Sequence, residues 1–247
     1  MWFKANLLTL SVEKTNFSIF HRFRKKIPDD CNSLKFHNQV IKRSSHVKYL
    51  GVILDDTLSW SDHISYLSEK LVKIVSSFKI IKHYVPEKCK IQLFHAYVNS
   101  RLKYGLEVYG HCTKCNLQRL QTLQNKSLKT LFNLDWYTPT SDLHKNFRVL
   151  KLVDSFRHSL LQLVFCQRNG MLPTIFDEYF SLKCDVHSIV TRQANMYNIF
   201  RAKSRNGNNT LRYTGAKLFN ELPLNLIKIS SFGEFKKKLK YYYLEMY

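Results

Sequence analysis

The chain has 247 residues, of which 45% are apolar and 14% aromatic. This composition can supply a hydrophobic core and argues against a wholly disordered protein. The formal net charge of +21 favours a polyanionic partner, either nucleic acid or an anionic membrane surface. The excess lies mainly in residues 61–135, with twelve Lys and Arg against five Asp and Glu, and in residues 191–247, with eleven against three. A generally basic protein without a polyanionic partner is the alternative.

Signals for membrane insertion, export and metal binding are weak. No apolar run approaches the ~20 residues of a membrane-spanning helix, and the first residues lack the apolar centre of a signal peptide. We therefore expect no membrane partner and an intracellular location, cytoplasmic or nuclear, with the six cysteines reduced. Cys112 and Cys115 form a lone Cys-x-x-Cys pair, whereas a structural zinc site needs four ligands. The sequence thus predicts no metal site.

The first sixty residues carry strand patterns. Leu8, Leu10 and Val12 alternate with polar residues, which predicts a half-buried strand that continues through residues 16–20. A basic loop with a Pro28-Asp29-Asp30 turn follows. Residues 47–54 form a β-branched and aromatic run, in which Gly51 predicts a bulge or the close approach of another backbone. A turn at residues 55–57 ends this region.

From Ser61 onward the apolar residues follow a helical period. Ser61 is a suitable N-cap for a first helix whose apolar face runs to Phe78. Pro86 predicts the start of a second helix. A third helix is predicted over 117–132, and a fourth is capped by Asp154 or Ser155 and ends at Asn169-Gly170. The expected apolar faces of the second and fourth helices include Ile91, Phe94, Tyr97, Val98, Leu102, Val153, Phe156, Leu160, Leu163 and Val164.

The C-terminal part combines a loop with one more amphipathic helix. Residues 181–211 have mixed polarity and predict a solvated loop. Ser231 and Glu234 have the spacing of a capping box and open a last helix. Its lysines are expected on the outer face, opposite Phe235 and Leu239.

The acidic residues do not form the pattern of a two-metal catalytic site. Phosphoryl transfer at such a site needs carboxylates that hold two divalent metals about 4 Å apart. Asp55-Asp56 is the pair most easily mistaken for such a site, but no third spaced Asp on a strand completes it. The pair is therefore interpreted as part of a turn.

Three motifs resemble one known family. Residues 47–64 contain Tyr-Leu-Gly-Val, an acidic turn and then Leu-x-Trp-x-x-His-Ile. Residues 2–15 contain Trp-x-x-x-Asn-x-Leu-x-Leu-Ser-x-x-Lys-Thr, and residues 215–223 contain Gly-x-x-x-Phe-Asn-x-Leu-Pro. In this order and spacing they resemble the part of non-LTR (LINE-type) retrotransposon reverse transcriptases that follows the catalytic centre. Ser11 departs from the family, which usually has Asn there.

The resemblance implies an α+β, mostly α fold. Short antiparallel strands from the end of a polymerase palm (1–60) would lead into a helical thumb (61–135) and a C-terminal helical region (136–247). In the family the catalytic aspartates precede the Lys-Thr motif, which implies no polymerase activity, no cofactor and no small-molecule substrate for this chain by itself. The parent enzyme uses Mg²⁺. The implied partners are RNA and DNA, as a template–primer duplex.

The resemblance also implies roles for individual residues. Lys14 corresponds to a lysine near the departing pyrophosphate, with a solvated strand-end lysine as the alternative. Tyr49, Leu50 and Gly51 resemble the primer grip, with a buried core strand as the alternative for Leu50 and Val52. Contacts to phosphates are predicted for a set of basic residues, with a solvated helix face as the alternative for any single one of those in 61–135: Lys70, Lys73, Lys79, Lys82, Lys88, Lys90, Arg101, Lys103, Lys236, Lys237 and Lys238.

Two other function classes stay open. A helical protein-interaction or structural module, from a domesticated or decayed element, would share the fold and bind no nucleic acid. A complete enzyme of another type is disfavoured, because the carboxylate pattern is missing. Salt dependence separates the first class from a nucleic-acid binder, since phosphate contacts weaken steeply as salt rises.

Overall fold

The fold was analysed in a computed structural model of the chain. The structure describes residues 5–9, 11–22, 25, 27–28, 33–36, 39–186, 195–200 and 205–247. The predicted α+β, mostly α class is confirmed. The chain divides into two compact units, residues 1–67 and 68–247. The finer division at residues 60 and 135 stays a prediction.

Unit 1 contains the strands. They are β1 (Asn16–Phe17), β2 (Leu34–Phe36), β3 (Gln39–Arg43), β4 (His46–Tyr49) and β5 (Val52–Asp55). Strand β3 pairs antiparallel with β2 and parallel with β1, and β4 pairs antiparallel with β5. The parallel β1–β3 pair departs from the all-antiparallel expectation.

The predicted strand at residues 8–12 is wrong for the residues of this segment that the structure describes. Val12–Lys14 form one turn of 3₁₀-helix, and Leu8 is exposed. Among the described residues, no strand pairs with this segment, so the alternating pattern has no sheet to pack on there. Leu10, the Trp2 end of the first motif and the Asp29-Asp30 turn lie outside the described residues.

The run at residues 47–54 is a hairpin rather than one strand. Tyr49 pairs with Val52, so Leu50 and Gly51 are the two central residues of the turn. Both have positive φ, 46° and 83°, as in the turns that match the twist of two antiparallel strands. Gly51 therefore serves the turn and does not mark a bulge. Val52 is buried, but Leu50 is exposed, so the core-strand alternative holds for Val52 only.

The Asp55 carboxylate organises the turn between β5 and the first helix. Its Oδ2 accepts hydrogen bonds from Thr57 Oγ1 at 2.7 Å and the Ser59 amide at 2.8 Å, and its Oδ1 accepts from the Trp60 amide at 2.8 Å. Leu58 and Trp60 both have positive φ, a conformation that costs non-glycine residues energy. Asp55 thus holds a strained turn, in agreement with the turn interpretation.

Unit 2 is helical, and helix α1 begins in unit 1 and continues into it. The helices are α1 (Ser61–Ile81), α2 (Glu87–Phe94), a π-helical turn (His95–Asn99), α3 (Ser100–Lys103), α4 (Leu106–Tyr109), α5 (Lys114–Leu131), α6 (Thr140–Asn146), α7 (Leu152–Arg168), a 3₁₀ segment (Thr174–Tyr179), α8 (Lys183–Val186), α9 (Arg205–Asn208), α10 (Leu211–Asn220), α11 (Leu224–Ile227) and α12 (Phe232–Glu245). The four helices predicted from the period are all present, within a few residues.

Helix α7 is the centre of unit 2. It contacts α3, α4, α5, α10 and α12, and Leu160, Leu161 and Val164 are fully buried. Gly110, after α4, lets the chain approach this helix closely. A Cβ there would lie 2.7 Å from Phe156 Cε2 and 2.5 Å from the Leu106 carbonyl oxygen, closer than real Cβ atoms come.

The C-terminal motif has a structural explanation. Gly215 leaves no room for a side chain, because a Cβ would lie 2.9 Å from Val164 Cγ2. Phe219 and Leu222 belong to the core, and Pro223 caps α11. These residues pack α10 against α7.

Several finer predictions are wrong. Tyr197 is buried in the core and Arg205–Asn208 are helical, so residues 181–211 are not simply a solvated loop. Tyr97 and Val153 are exposed, because each stands at the edge of its helix's apolar face. Ser231 makes no side-chain capping bond, and the Glu234 carboxylate pairs with Lys238 at 2.6 Å.

Candidate nucleic-acid interface

A groove rich in lysine lies at the C-terminal ends of α1 and α5. Its volume is about 540 Å³. It is lined by Lys79, Lys82, His83, Lys126, Lys129, Thr130, Asn133, Leu134 and Trp136. The lining therefore contains four lysines and no carboxylate. The lysines face outward because the apolar positions of the same turns, among them Phe78 and Leu128, are buried.

Two of these lysines fix the loop that follows α5. Lys82 Nζ donates a hydrogen bond to Asn133 Oδ1 at 2.6 Å, and Lys129 Nζ donates to the Trp136 carbonyl oxygen at 2.5 Å. Asn133 has a positive φ of 53°, a conformation that Asn tolerates better than most residues. A lysine ammonium carries three donors, so each retains capacity to contact a further acceptor.

A second basic cluster joins residues that are far apart in sequence. Lys103 of α3 lies near Lys236 and Lys240 of α12. Burial, and then the charges of Lys240 and Lys236, lower the pKa of Lys103, while Glu107 opposes the shift. Burial, followed by the charges of Lys240 and Lys103, likewise lowers the pKa of His95. Crowded cations of this kind gain free energy when a polyanion approaches.

The hairpin of unit 1 presents an aromatic and an aliphatic side chain at its tip. Tyr49 is 64% exposed and Leu50 is 73% exposed. An apolar residue held at positive φ and left exposed costs stability without contributing to the core. This exposed tip is the segment whose sequence resembles a primer grip.

The other predicted contact residues are spread over several elements. Lys70 and Lys73 are exposed on α1, and Lys88 and Lys90 lie in the first turns of α2. The guanidinium of Arg101 donates to the Tyr97 carbonyl oxygen at 2.8 Å. Lys236, Lys237 and Lys238 are exposed on α12 as predicted. Lys14 ends the 3₁₀ turn and is exposed.

The described carboxylates do not form a metal site. No group of three or more His, Cys, Asp or Glu side chains that could hold a metal occurs in the part of the chain that the structure describes. Burial by itself raises the pKa of Asp55, but the hydrogen bonds from Ser59, Thr57 and Trp60 outweigh it and lower that pKa. Both Asp55 oxygens are therefore used by the turn. Asp56 lies 3.4 Å from His21 Nε2.

Lys126, Lys129 and Trp136 were missed by the sequence reasoning. The signal was present: Lys126 and Lys129 stand three residues apart and thus on one face of α5. Trp136 and Tyr137 lie five and six residues after the end of α5, in a loop where both are exposed. Within the described residues, no helix is long and apolar enough to cross a membrane.

Comparison with known proteins gives several relatives of one kind. The chain is 28% identical over 131 residues to the RNA-directed DNA polymerase from mobile element jockey of Drosophila melanogaster, covering 52% of this chain and 14% of that protein. It is 24% identical over 128 residues to the probable RNA-directed DNA polymerase from transposon X-element of the same species, with 48% and 14% covered. The resemblance to non-LTR retrotransposon reverse transcriptases is confirmed.

The similarity covers a small part of each relative's length. A third relative, the probable RNA-directed DNA polymerase from transposon BS, is 21% identical over 151 residues, or 60% of this chain and 16% of that protein. The chain thus matches about a seventh of the length of these non-LTR reverse transcriptases. No protein-family model and no solved structure matches it.

Proposed function

We propose that this chain is the part of a non-LTR reverse transcriptase that follows the catalytic palm, and that it holds nucleic acid without performing polymerisation itself. The observation that carries the proposal is the lysine groove at the ends of α1 and α5. Four ammonium groups line it, and none of its lining residues is acidic. Contacts of lysine to phosphate are independent of base sequence, as the thumb of a polymerase requires.

Polymerisation by the chain alone is not part of the proposal. The parent reaction needs Mg²⁺ held by spaced carboxylates. Asp55 does not fit this role, because both of its oxygens accept hydrogen bonds from the turn at residues 57–60. We therefore expect no primer extension by residues 1–247 with Mg²⁺ or Mn²⁺. Template-dependent extension that Asp55→Ala with Asp56→Ala abolishes would contradict this.

The tip of the β4–β5 hairpin is proposed to meet the primer. Tyr49 and Leu50 project from it, and Gly51 keeps the turn narrow. The experiment requires an intact palm fused in front of this chain. Tyr49→Ala should then reduce extension per folded molecule while the melting temperature stays nearly unchanged. A large loss of stability with normal extension would instead make Tyr49 a packing residue.

Binding by the groove is tested with labelled RNA–DNA hybrid and fluorescence anisotropy across a tenfold range of salt. The wild-type affinity should fall steeply, because each phosphate contact releases counterions. Lys82→Glu with Lys126→Glu should weaken binding for all sequences and reduce the salt slope by about one per lysine removed. Lys145→Glu with Lys217→Glu is the control, since it makes the same change of charge at exposed positions that do not line the groove.

The results separate the function classes. An equal loss in the groove variant and the control variant would show a general effect of net charge rather than a site. An affinity that does not change with salt would favour the protein-interaction module. Lys236→Glu, Lys237→Glu and Lys238→Glu together test the second cluster, and uniform weakening for all sequences is expected there if α12 contributes.

A further inference from the structure

The loop after α5 places an aromatic ring at the edge of the lysine groove. Trp136 lines the groove, although its side chain is 65% exposed. Tyr137, the next residue, is 93% exposed. Large aromatic side chains usually contribute to a core or to an interface, because their burial yields the largest apolar gain. Neither ring packs in the core of unit 2.

Two hydrogen bonds from lysine side chains fix the loop that carries Trp136. Its carbonyl oxygen accepts the hydrogen bond from Lys129, and Lys82 holds Asn133 three residues earlier. The loop is thereby attached to the end of α1 and to the end of α5. The Lys129 ammonium also lies 5.6 Å from the centre of the Trp136 ring, within the range of a cation–π contact. The ring therefore stands beside a cation that a phosphate could share.

An exposed aromatic ring beside a row of cations is the arrangement that binds single-stranded nucleic acid. The cations hold the phosphates, and the ring stacks on a base. Duplex offers the phosphates but not the base, because the faces of paired bases are covered by their neighbours. The groove lining can supply both contacts, and at about 540 Å³ it is within the size range of small-ligand pockets.

We propose that Trp136 stacks on an unpaired base while Lys79, Lys82, Lys126 and Lys129 hold the adjoining phosphates, so that this groove takes single-stranded RNA or DNA. The inference rests on the proposed function and deepens it, since it names the class of nucleic acid. Asp135, in the same loop, is exposed and does not line the groove. The groove thus presents no described carboxylate to repel the strand.

The test compares a short oligothymidylate with an oligomer of equal length and charge that has abasic sites. The two ligands share their phosphates and differ only in the bases. The wild-type protein should prefer the oligomer with bases. Trp136→Ala should lose about 5- to 140-fold in affinity for it, the range that base–aromatic stacking gives, and little for the abasic oligomer. Trp136→Phe should stay within about threefold of the wild type, because an aromatic face remains.

Three comparisons give the test its controls. Affinity for a blunt duplex should change by less than about twofold in Trp136→Ala. Tyr84→Ala removes an aromatic side chain that is 84% exposed but does not line the groove, and should have no effect. Thermal unfolding of Trp136→Ala should match the wild type, since the ring is not in the core.

Several outcomes of these measurements would overturn the stacking inference. An equal loss for the two oligomers, or for single strand and duplex, would overturn stacking. So would an equal loss in Tyr84→Ala, which would indicate non-specific apolar adhesion. No effect of Trp136→Ala, with Lys82→Glu and Lys126→Glu still harmful, would overturn this inference and leave the proposed function standing. Absence of binding by the wild type to any of these ligands would overturn both.

Discussion

Two hydrogen bonds join the side-chain amide of Asn220 to the backbone of Tyr197. The Tyr197 amide donates to Asn220 Oδ1 at 2.9 Å, and Asn220 Nδ2 donates to the Tyr197 carbonyl oxygen at 2.9 Å. The Tyr197 ring packs edge to face on Phe219 and contacts Phe180. Asn220, from the C-terminal motif, therefore holds a distant segment of chain against the end of α10.

Asn220→Asp should destabilise unit 2 by about 2–3 kcal/mol. The carboxylate still accepts from the Tyr197 amide, but it cannot donate, and it places a second acceptor against the Tyr197 carbonyl oxygen. Chemical denaturation measures the loss. Asn198→Asp, in the same segment but without this exchange, is the control and should cost much less. Equal losses in the two variants would show that Asn220 has no special role.

Gly110→Ala should destabilise unit 2 by about 1–3 kcal/mol. The new Cβ meets Phe156 and the Leu106 carbonyl oxygen, and the backbone oxygen cannot rotate away. Gly233→Ala is the matched control, because its Cβ meets nothing within 4 Å on helix α12. It should be neutral or should stabilise by up to about 1 kcal/mol. Thermal unfolding checks the opposite signs, and a tolerated Gly110→Ala would refute the close approach.

Asp55→Ala should destabilise unit 1 by about 2–4 kcal/mol, because three hydrogen bonds to a partly buried carboxylate are lost together. Asp56→Ala should cost less than about 1 kcal/mol, since among the described residues the Asp56 carboxylate has just the long contact to His21, and its backbone hydrogen bonds survive the change. Hydrogen exchange at the Ser59 and Trp60 amides provides the measurement. The pKa of Asp55 is lowered in the folded state, so its contribution should be present above its unfolded value and be lost in acid.

The stability of unit 2 should fall as the pH drops from about 6.5 to about 4. Burial first, and then the charges of Lys103, Lys236 and Lys240, lower the pKa of His158 to about 4, although its bond to the Lys236 carbonyl oxygen opposes the shift. The unfolded chain, with a histidine pKa near 6.5, therefore binds more protons in this window.

Both ring nitrogens of His158 have hydrogen-bond partners that suit the neutral ring. Its Nε2 donates to the Lys236 carbonyl oxygen at 3.0 Å, and its Nδ1 accepts from Gln162 at 2.8 Å, so the neutral ring satisfies both. His158→Gln should flatten the fall in stability by an amount on the order of 2–3 kcal/mol. An NMR titration of the ring should show no protonation at pH 6. Protonation near pH 6.5 in the folded protein would contradict the prediction.

Leu50→Asn should stabilise unit 1 by up to about 1 kcal/mol. The substitution creates Asn-Gly, the preferred pair for a two-residue turn with positive φ at both positions. Thermal unfolding measures the gain. If the tip also meets the primer, the same variant fused behind an intact palm should extend primers less well, because its apolar contact is lost. A stability gain without that loss would remove Leu50 from the primer grip.

Much of the architecture was predictable from local pattern. The 3.6-residue period placed α1, α2, α5 and α7, and the charged faces of these helices are exposed as expected. The turn role of Asp55-Asp56 was also predictable, because the pair lies between a strand run and a helix cap. The family motifs gave the resemblance, which the relatives confirm.

What the sequence determined by itself is the helical period, the excess of lysine and the order of the motifs. The tertiary structure decided which lysines share a surface. Lys82 contacts Asn133, and Lys103 lies near Lys236, across separations that no periodic pattern encodes. It also decided that Tyr197 is core and that Leu50 is exposed. The physical reason is that periodicity reports which face of an element is apolar, whereas a groove depends on which elements pack together over long distances in the chain.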